Sequence, residues 1–306
     1  MKRNGFILTL LFLCSIVLQA QMMTVGTYNV RYHNSNDSIA GNGWYQRLPY
    51  ICGLIRTNGF DIFGSQEVLA DQLKDLLNGL PGYAYIGVGR DDGKEEGEFA
   101  PIFYKKDRFD LLKNGQFWLS IVTDRPNKGW DAVLPRICTW GKFRDKITKK
   151  NFWFFNLHMD HVGVQARNES SKLVLRKIKE MCGNETIFLT GDFNVDQTHE
   201  NYRILNNSGI LKDAYEAAGI CYAPNGTFNN FDPNLKTDSR IDHIFVSMPV
   251  TVKTYAVLTD TYRTPNADSE KAIKSGNFPK EVSLHKYVAR TPSDHFPVKI
   301  TLQLGK

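Results

Sequence analysis

The sequence predicts an α/β domain. Three observations lead there: short apolar runs of strand length, amphipathic stretches of helical period between them, and polar residues set repeatedly where a strand ends. The pattern is clearest at Thr186–Asp196, which reads T-I-F-L-T-G-D-F-N-V-D. Thr186 to Thr190 is β-branched or apolar, enough for one buried strand, and Gly191 is expected to end it. Asp192 and Asn194 then fall at alternate positions, on one face of an extended chain. Two polar groups at the mouth of a buried strand need partners. Taken alone, the stretch also reads as an Asp/Asn turn.

The first twenty residues stand apart from this pattern. Lys2 and Arg3 precede an almost wholly apolar run from Phe6 to Leu18, and Leu18-Gln19-Ala20 suits cleavage before Gln21. These are the marks of a signal peptide at 1–20, too short for a lasting membrane span. Leu11-Phe12-Leu13 lacks the small residues that a lipid anchor at Cys14 would need. The expectation is a single domain over 21–306, exported to the periplasm or the exterior and monomeric. Loss of Lys2 and Arg3 lowers the formal charge from +6 to +4. That balance suits an anionic substrate but is too weak to argue for nucleic acid by itself. Cys52, Cys138, Cys182 and Cys221 show no metal-ligand spacing, and a chain of this size needs no disulfide staples. Buried free thiols are expected.

The elements follow in order. Thr24 to Arg31 alternates like a strand and ends on Asn29 and Arg31. Trp44 to Asn58 has helical spacing with Gly59 as its cap. Asp61 to Glu67 is a short strand ending in Gln66 and Glu67, and Val68 to Leu77 a helix. Tyr83–Val88 and Ala100–Tyr104 read as strands around a polar loop, Gly89–Glu98. An irregular stretch with Pro126, Trp130 and Pro135 leads to a hairpin of Arg136–Phe143 and Asn151–His158. Its basic turn, Lys142–Lys150, reads more readily as a solvated tip than as a phosphate patch. Val164–Cys182 is an amphipathic helix, and another is expected from about His199 to Asn206. Ile241–Val246 and Val252–Leu258 are strands, Asp260–Thr291 is a long aperiodic loop, and Ser293–Leu302 is a closing strand.

One arrangement recurs: a short buried strand, then acid, amide or imidazole at its end. It occurs at Asn29, Glu67, His158 with Asp160, Asp192 with Asn194, Asp242, and Asp294 with His295. Each alone is an ordinary turn. Together, if the ends share one rim, they make a carboxylate-rich cleft suited to a hard divalent cation. No Cys/His cluster or H-E-x-x-H spacing points to zinc. His33, His199 and His285 read as surface or core residues, while His161 and His243 stay open. Trp118 and Trp130 could wall a pocket or simply pack.

These motifs (N-V-R, S-Q-E, N-L-H-M-D-H, G-D-F-N, R-I-D-H and S-D-H-F-P-V) resemble the endonuclease/exonuclease/phosphatase superfamily over nearly the whole chain and in its order; the leader would make this a secreted bacterial member. The resemblance implies a four-layer α/β sandwich of two packed, mostly antiparallel sheets flanked by helices. It implies Mg²⁺, or Mn²⁺ in its place, held chiefly by Glu67 with Asn29 and Asp294 close by. Asp192 would orient or deprotonate water and Asn194 hold a phosphate oxygen. His295 would contact phosphate with Asp242 on its other nitrogen, and His158 would be the second imidazole, with Glu98 as its partner. Arg31 would be a phosphate contact. Arg90, read from its own loop G-R-D-D-G, could reach substrate phosphate or pair with its acidic neighbours, and the loop it shares with Glu98 favours the substrate.

The function expected is therefore metal-assisted hydrolysis of a phosphodiester by water, nucleic acid being the commonest substrate choice in the family. A phospholipid or sphingomyelin phosphodiesterase, or a small-molecule phosphatase, are the alternatives on the same fold. The residues after G-D-F-N and before Asp242 disfavour an inositol-phosphate phosphatase. A binding module that had lost catalysis should lack a motif residue, and none is missing.

Overall fold

The structure, a computed structural model, describes residues 22–247, 250–273 and 276–304. The leader expected at 1–20 lies outside them. The first half of the chain forms β1 (Met23–Asn29), α1 (Ser35–Ile39), α2 (Trp44–Thr57), β2 (Ile62–Gln66), α3 (Ala70–Gly79), β3 (Tyr83–Ile86), β4 (Ile102–Lys105), β5 (Phe109–Trp118), β6 (Ile137–Asp145) and β7 (Asn151–His158). There follow α4 (Val164–Met181), β8 (Thr186–Asp192), α5 (Glu200–Asn206), β9 (Leu211–Asp213), α6 (Ala214–Ala217), β10 (Ile220–Tyr222), β11 (Asp242–Ser247) and β12 (Thr251–Val257). A small hairpin, β13 (Tyr262–Thr264) with β14 (Val288–Arg290), precedes β15 (Val298–Gln303).

The strands make two large sheets, of order β10-β12-β15-β1-β2-β4-β3 and β5-β6-β7-β8-β11-β9. Among the described strands of these sheets, only β1–β2, β10–β12 and β7–β8 run parallel. Alternation decides the layers. Phe152 and Phe154 of β7 join Val25, Ile62 and Ile102 in the core between the sheets, while Trp153 and Phe155 point the other way, onto Leu173, Val174 and Ile178 of α4. On the far side, Ile51 and Ile55 of α2 and Leu73 and Leu76 of α3 cover Tyr28, Phe63 and Phe103. Burial of each large apolar side chain stabilises by about 1.5–3 kcal/mol. Helix, sheet, sheet and helix stack as the four-layer sandwich that the motifs imply.

The register makes one rim. In β7 and β8, which run parallel, His158 pairs with Asp192, and Asp242, the first residue of antiparallel β11, pairs with Asp192 from the other side. In β1 and β2, also parallel, Asn29 pairs with Gln66, so Glu67 emerges beside Asn29. Just beneath, a polar network joins the sheets. Gln66 Nε2 donates to Asn156 Oδ1 at 2.7 Å, Thr190 Oγ1 donates to the same oxygen at 2.9 Å, and Asn156 Nδ2 donates to the Ser65 and Pro101 carbonyls. Gly64 leaves the space this needs, because a Cβ there would collide with the Asn156 amide.

Several local expectations change. The strand at Thr186 runs on through Gly191 to Asp192, since both residues still pair with β11. The loop Asp260–Thr291 contains a short hairpin. Cys52, Cys138 and Cys182 are buried free thiols, but Cys221 is exposed on the edge strand β10. Among the described residues, no helix is long and apolar enough to cross a membrane.

Candidate active site

The strand ends converge on a cavity of about 450 Å³ lined by Arg31, Glu67, Glu98, His158, Asp192, Asn194, Asp294 and His295, with a further wall described below. The backbone turns sharply to reach it. Of the seven non-glycine residues with positive φ among the described residues, Arg31, Glu67, Asn194, Asn230 and Phe231 line this cavity. Left-handed backbone at such residues is costly and persists only where the surroundings enforce it.

Asn29 sits at the centre. Its Nδ2 donates to Glu67 Oε1 and to Asp192 Oδ2, each at 3.0 Å, and its Oδ1 accepts from the Arg31 amide. Asp192 is buried, and its Oδ1 accepts from the Asn194 amide at 2.9 Å. Burial, and then the charge of Asp242, push its carboxyl up from the ordinary carboxylate value. Burial and Glu67 likewise push Asp294 up, to about 6.

The two imidazoles are held in opposite states. His295 Nδ1 lies 2.9 Å from Asp242 Oδ2, and its Nε2 lies 3.8 Å from Asp192. Burial opposes its charged form, but Asp242 and Asp192 outweigh burial and raise its proton affinity well above that of a free imidazole. Phe228 packs edge-on against the ring. His158 is pushed down to about 3, by burial and by the Arg136 guanidinium. Asn194 Nδ2 donates to His158 Nε2 at 3.1 Å, which leaves the proton on Nδ1, 3.6 Å from Glu98. A charged and a neutral imidazole thus flank one buried carboxylate.

The carboxylate cluster fits a divalent cation. Glu67, His158 and Asp192 can bring ligand atoms within 4.8 Å of one another, as can Asp192, Asp242 and His295. Asp242 Oδ1 and His158 Nδ1 are buried with no hydrogen-bond partner among the described residues. Arg31 Nη1, 3.6 Å from Asp294 and 3.9 Å from Glu67, offsets part of the negative charge. Such a set of oxygens, with imidazole at one side, suits a hard ion.

Two expected placements differ, and the open reading of Trp118 and Trp130 resolves to packing. Arg90 is absent from the cavity wall, because its guanidinium is clamped on Glu98 at 2.6 and 2.9 Å and reaches the site only through that carboxylate. Asn194 does not present a free amide to phosphate: its Nδ2 donates to His158 and, at 2.9 Å, to the Met159 carbonyl. Trp118 and Trp130 pack into cores and line no part of the cavity. The basic turn 142–150 is a hairpin tip in which Lys142 pairs with Glu185 and Lys146 with Asp110. His243 is a core residue, with Nε2 3.2 Å from the Val195 carbonyl.

The far wall consists of Tyr32, Leu134, Arg136, His161, Phe228, Asn230 and Phe231. The motif reading omits all of these except His161, which it leaves open. Phe228 to Phe231 lie in a turn-rich segment with no period. The Asn229 and Asn230 amides donate to the Asp294 carbonyl, and Asn229 Nδ2 to that of Ser293, which fastens the segment beside the site.

Comparison with known proteins supplies context. Residues 26–295 match the model of the Endonuclease/Exonuclease/phosphatase family. A mannosyl-6-phosphatase of Bacteroides thetaiotaomicron is 54% identical, covers 92% of this chain and 99% of its own, and superposes with a TM-score of 0.84. An endonuclease/exonuclease/phosphatase from Bacteroides vulgatus is 38% identical over 93% of this chain and 100% of its own, with a TM-score of 0.79. An uncharacterized protein of Acanthamoeba polyphaga mimivirus is 30% identical over 66% of this chain and 79% of its own.

Proposed function

Since the chain belongs to the endonuclease/exonuclease/phosphatase family, we propose that this phosphoesterase is a metal-dependent phosphomonoesterase acting on a hexose phosphate of the mannose 6-phosphate kind. The observation that carries the reading is the size and lining of the cavity. Its volume of about 450 Å³ falls within the range of small-molecule sites, and Leu134, Phe228 and Phe231 give its lining an apolar part that suits a carbon framework. The likeness to a mannosyl-6-phosphatase along the whole chain supports the same substrate class. A nuclease, which the motifs alone favour, would need unpaired cations to track a phosphate backbone. Arg31 and Arg136 in the wall already pair with Asp37 and Asp160.

Glu67, with Asn29 and Asp294 beside it, would hold Mg²⁺, or Mn²⁺ in its place. When bound, the ion neutralises phosphate charge and acts as a Lewis acid on the phosphoryl group. Asp192, made more basic by burial, orients the attacking water and accepts its proton as the water oxygen bonds to phosphorus and the bond to the sugar oxygen breaks, and that oxygen leaves as the sugar hydroxyl with a proton from solvent. His295, kept charged by Asp242, donates to a phosphoryl oxygen, and Arg31 lies beside it on the phosphate side. Asn194 and Glu98 position His158, and Arg90 in turn positions Glu98. We also propose that residues 1–20 export the protein and that it acts as a monomer.

The test is a substrate panel for the mature protein with Mg²⁺: mannose 6-phosphate, bis-p-nitrophenyl phosphate and single-stranded DNA. Phosphate release from the hexose phosphate should exceed diester cleavage in kcat/KM by at least about a hundredfold. A preference for the diester or for DNA would reject the monoester reading.

A further inference from the structure

His161 follows the motif acid Asp160 and lines the same cavity, exposed where Asp160 is buried. Its placement is unusually well determined for an exposed side chain. Asp160 Oδ1 accepts from the Val162 and Gly163 amides at 3.0 and 2.8 Å, and Oδ2 from the Val133 and Leu134 amides and from Arg136 Nε. One buried carboxylate therefore ties the loop carrying His161 to the loop carrying Arg136. Burial disfavours its charge, yet these N–H groups and the guanidinium prevail and hold it down to about 2.

Arg136 then fixes the ring. Its Nη2 lies 3.0 Å from His161 Nδ1. A guanidinium can only donate, so Nδ1 must be the acceptor and the ring proton sits on Nε2. The Arg136 charge is balanced by Asp160, 3.3 Å from Nε. His161 shows the cavity its Nε2–H beside the apolar Leu134 and the rings of Phe228 and Phe231, with Tyr32, Asn230 and the Asp160-paired Arg136 on the same lining. A donor that carries no charge of its own suits an uncharged oxygen on a carbon framework better than a second phosphate.

We propose that His161 is a specificity-determining residue whose Nε2–H donates to a hydroxyl oxygen of the sugar part of the substrate, and that Arg136 is the positioning residue that fixes its tautomer. The inference rests on the hexose-phosphate reading and goes beyond it by naming the group that tells a sugar from another leaving group.

Two measurements test it. The first is kcat/KM for mannose 6-phosphate divided by that for p-nitrophenyl phosphate, which has no hydroxyls, in the wild type, His161→Ala and His161→Gln. The ratio should fall about tenfold in His161→Ala and recover in part in His161→Gln, whose amide can donate. A ratio equal in all three proteins would overturn the role of His161 while leaving the phosphatase reading intact. No preference for the sugar phosphate in the wild type would overturn both. The second is the ¹⁵N NMR of the His161 ring in the wild type, a readout that overall activity does not touch. Protonation at Nε2 with a bare Nδ1 is expected, and protonation at Nδ1 would overturn the positioning role of Arg136.

Discussion

Asp192→Asn is expected to lower kcat by about a thousandfold, the scale of a lost general base, while KM changes by only a few-fold. The site explains why this substitution isolates chemistry from folding. Asparagine has the shape of the carboxylate, and its oxygen can still accept from the Asn194 amide at the position of Oδ1. Its NH₂ would face Asn29 Nδ2, which now donates to Oδ2 at 3.0 Å, so one hydrogen bond is lost at a cost of about 1 kcal/mol. For a domain of this size that is a fall in Tm of about 2–4 °C. What disappears entirely is a buried carboxylate able to take a proton. Steady-state kinetics with mannose 6-phosphate, alongside thermal melting, separates the two effects. A kcat within tenfold of wild type would mean that another group takes the proton.

Asp242→Asn is the second large effect, expected at about a hundredfold to ten-thousandfold in kcat. Asp242 touches no cavity surface; it acts through His295, whose Nδ1 lies 2.9 Å from its Oδ2. The carboxylate accepts the Nδ1–H and stabilises the imidazolium that, in the proposed mechanism, would face phosphate. An amide either offers a neutral oxygen, which removes the charge, or turns its NH₂ toward Nδ1, which forces the proton onto Nε2 of a neutral ring. Both lose the cation. The backbone of Asp242 is paired with Asp192 in the sheet and donates to Thr227 Oγ1 at 3.0 Å, contacts that the substitution keeps. Wild-type kcat in a folded Asp242→Asn protein would show that His295 does not act as a cation.

The rim of this fold is legible in the sequence because its chemistry sits where strands stop. Asn29, Glu67, His158, Asp192, Asp242 and Asp294 each end or precede an apolar run; register aligns Asn29 with the end of β2 in one sheet and His158, Asp192 and Asp242 in the other, and the packing of the two sheets brings the sets together. The far wall is not legible for the opposite reason. Phe228 and Phe231 come from an aperiodic turn, and Arg136 from a strand start after Pro135, where nothing local says what the side chain faces. The edge strand β5 has exposed residues on both faces over much of its length, so it lacks the alternation that marks β7. The fates of Arg90 and Asn194 depend on partners outside their own strand segments, Glu98 for one and His158 for the other. Residue type predicts that these side chains bind something; only the tertiary structure says what.

If the carboxylate cluster around Glu67 works by holding a divalent cation, phosphate release from mannose 6-phosphate depends on added metal. Wild-type protein stripped with EDTA and then titrated with Mg²⁺ should pass from no measurable release to full activity along a saturating curve. Glu67→Ala should need at least about tenfold more metal to reach half of its own maximum, the low end of what weakened metal sites show. Undiminished phosphate release in EDTA would contradict the account, as would a Glu67→Ala protein that saturates at the wild-type metal concentration.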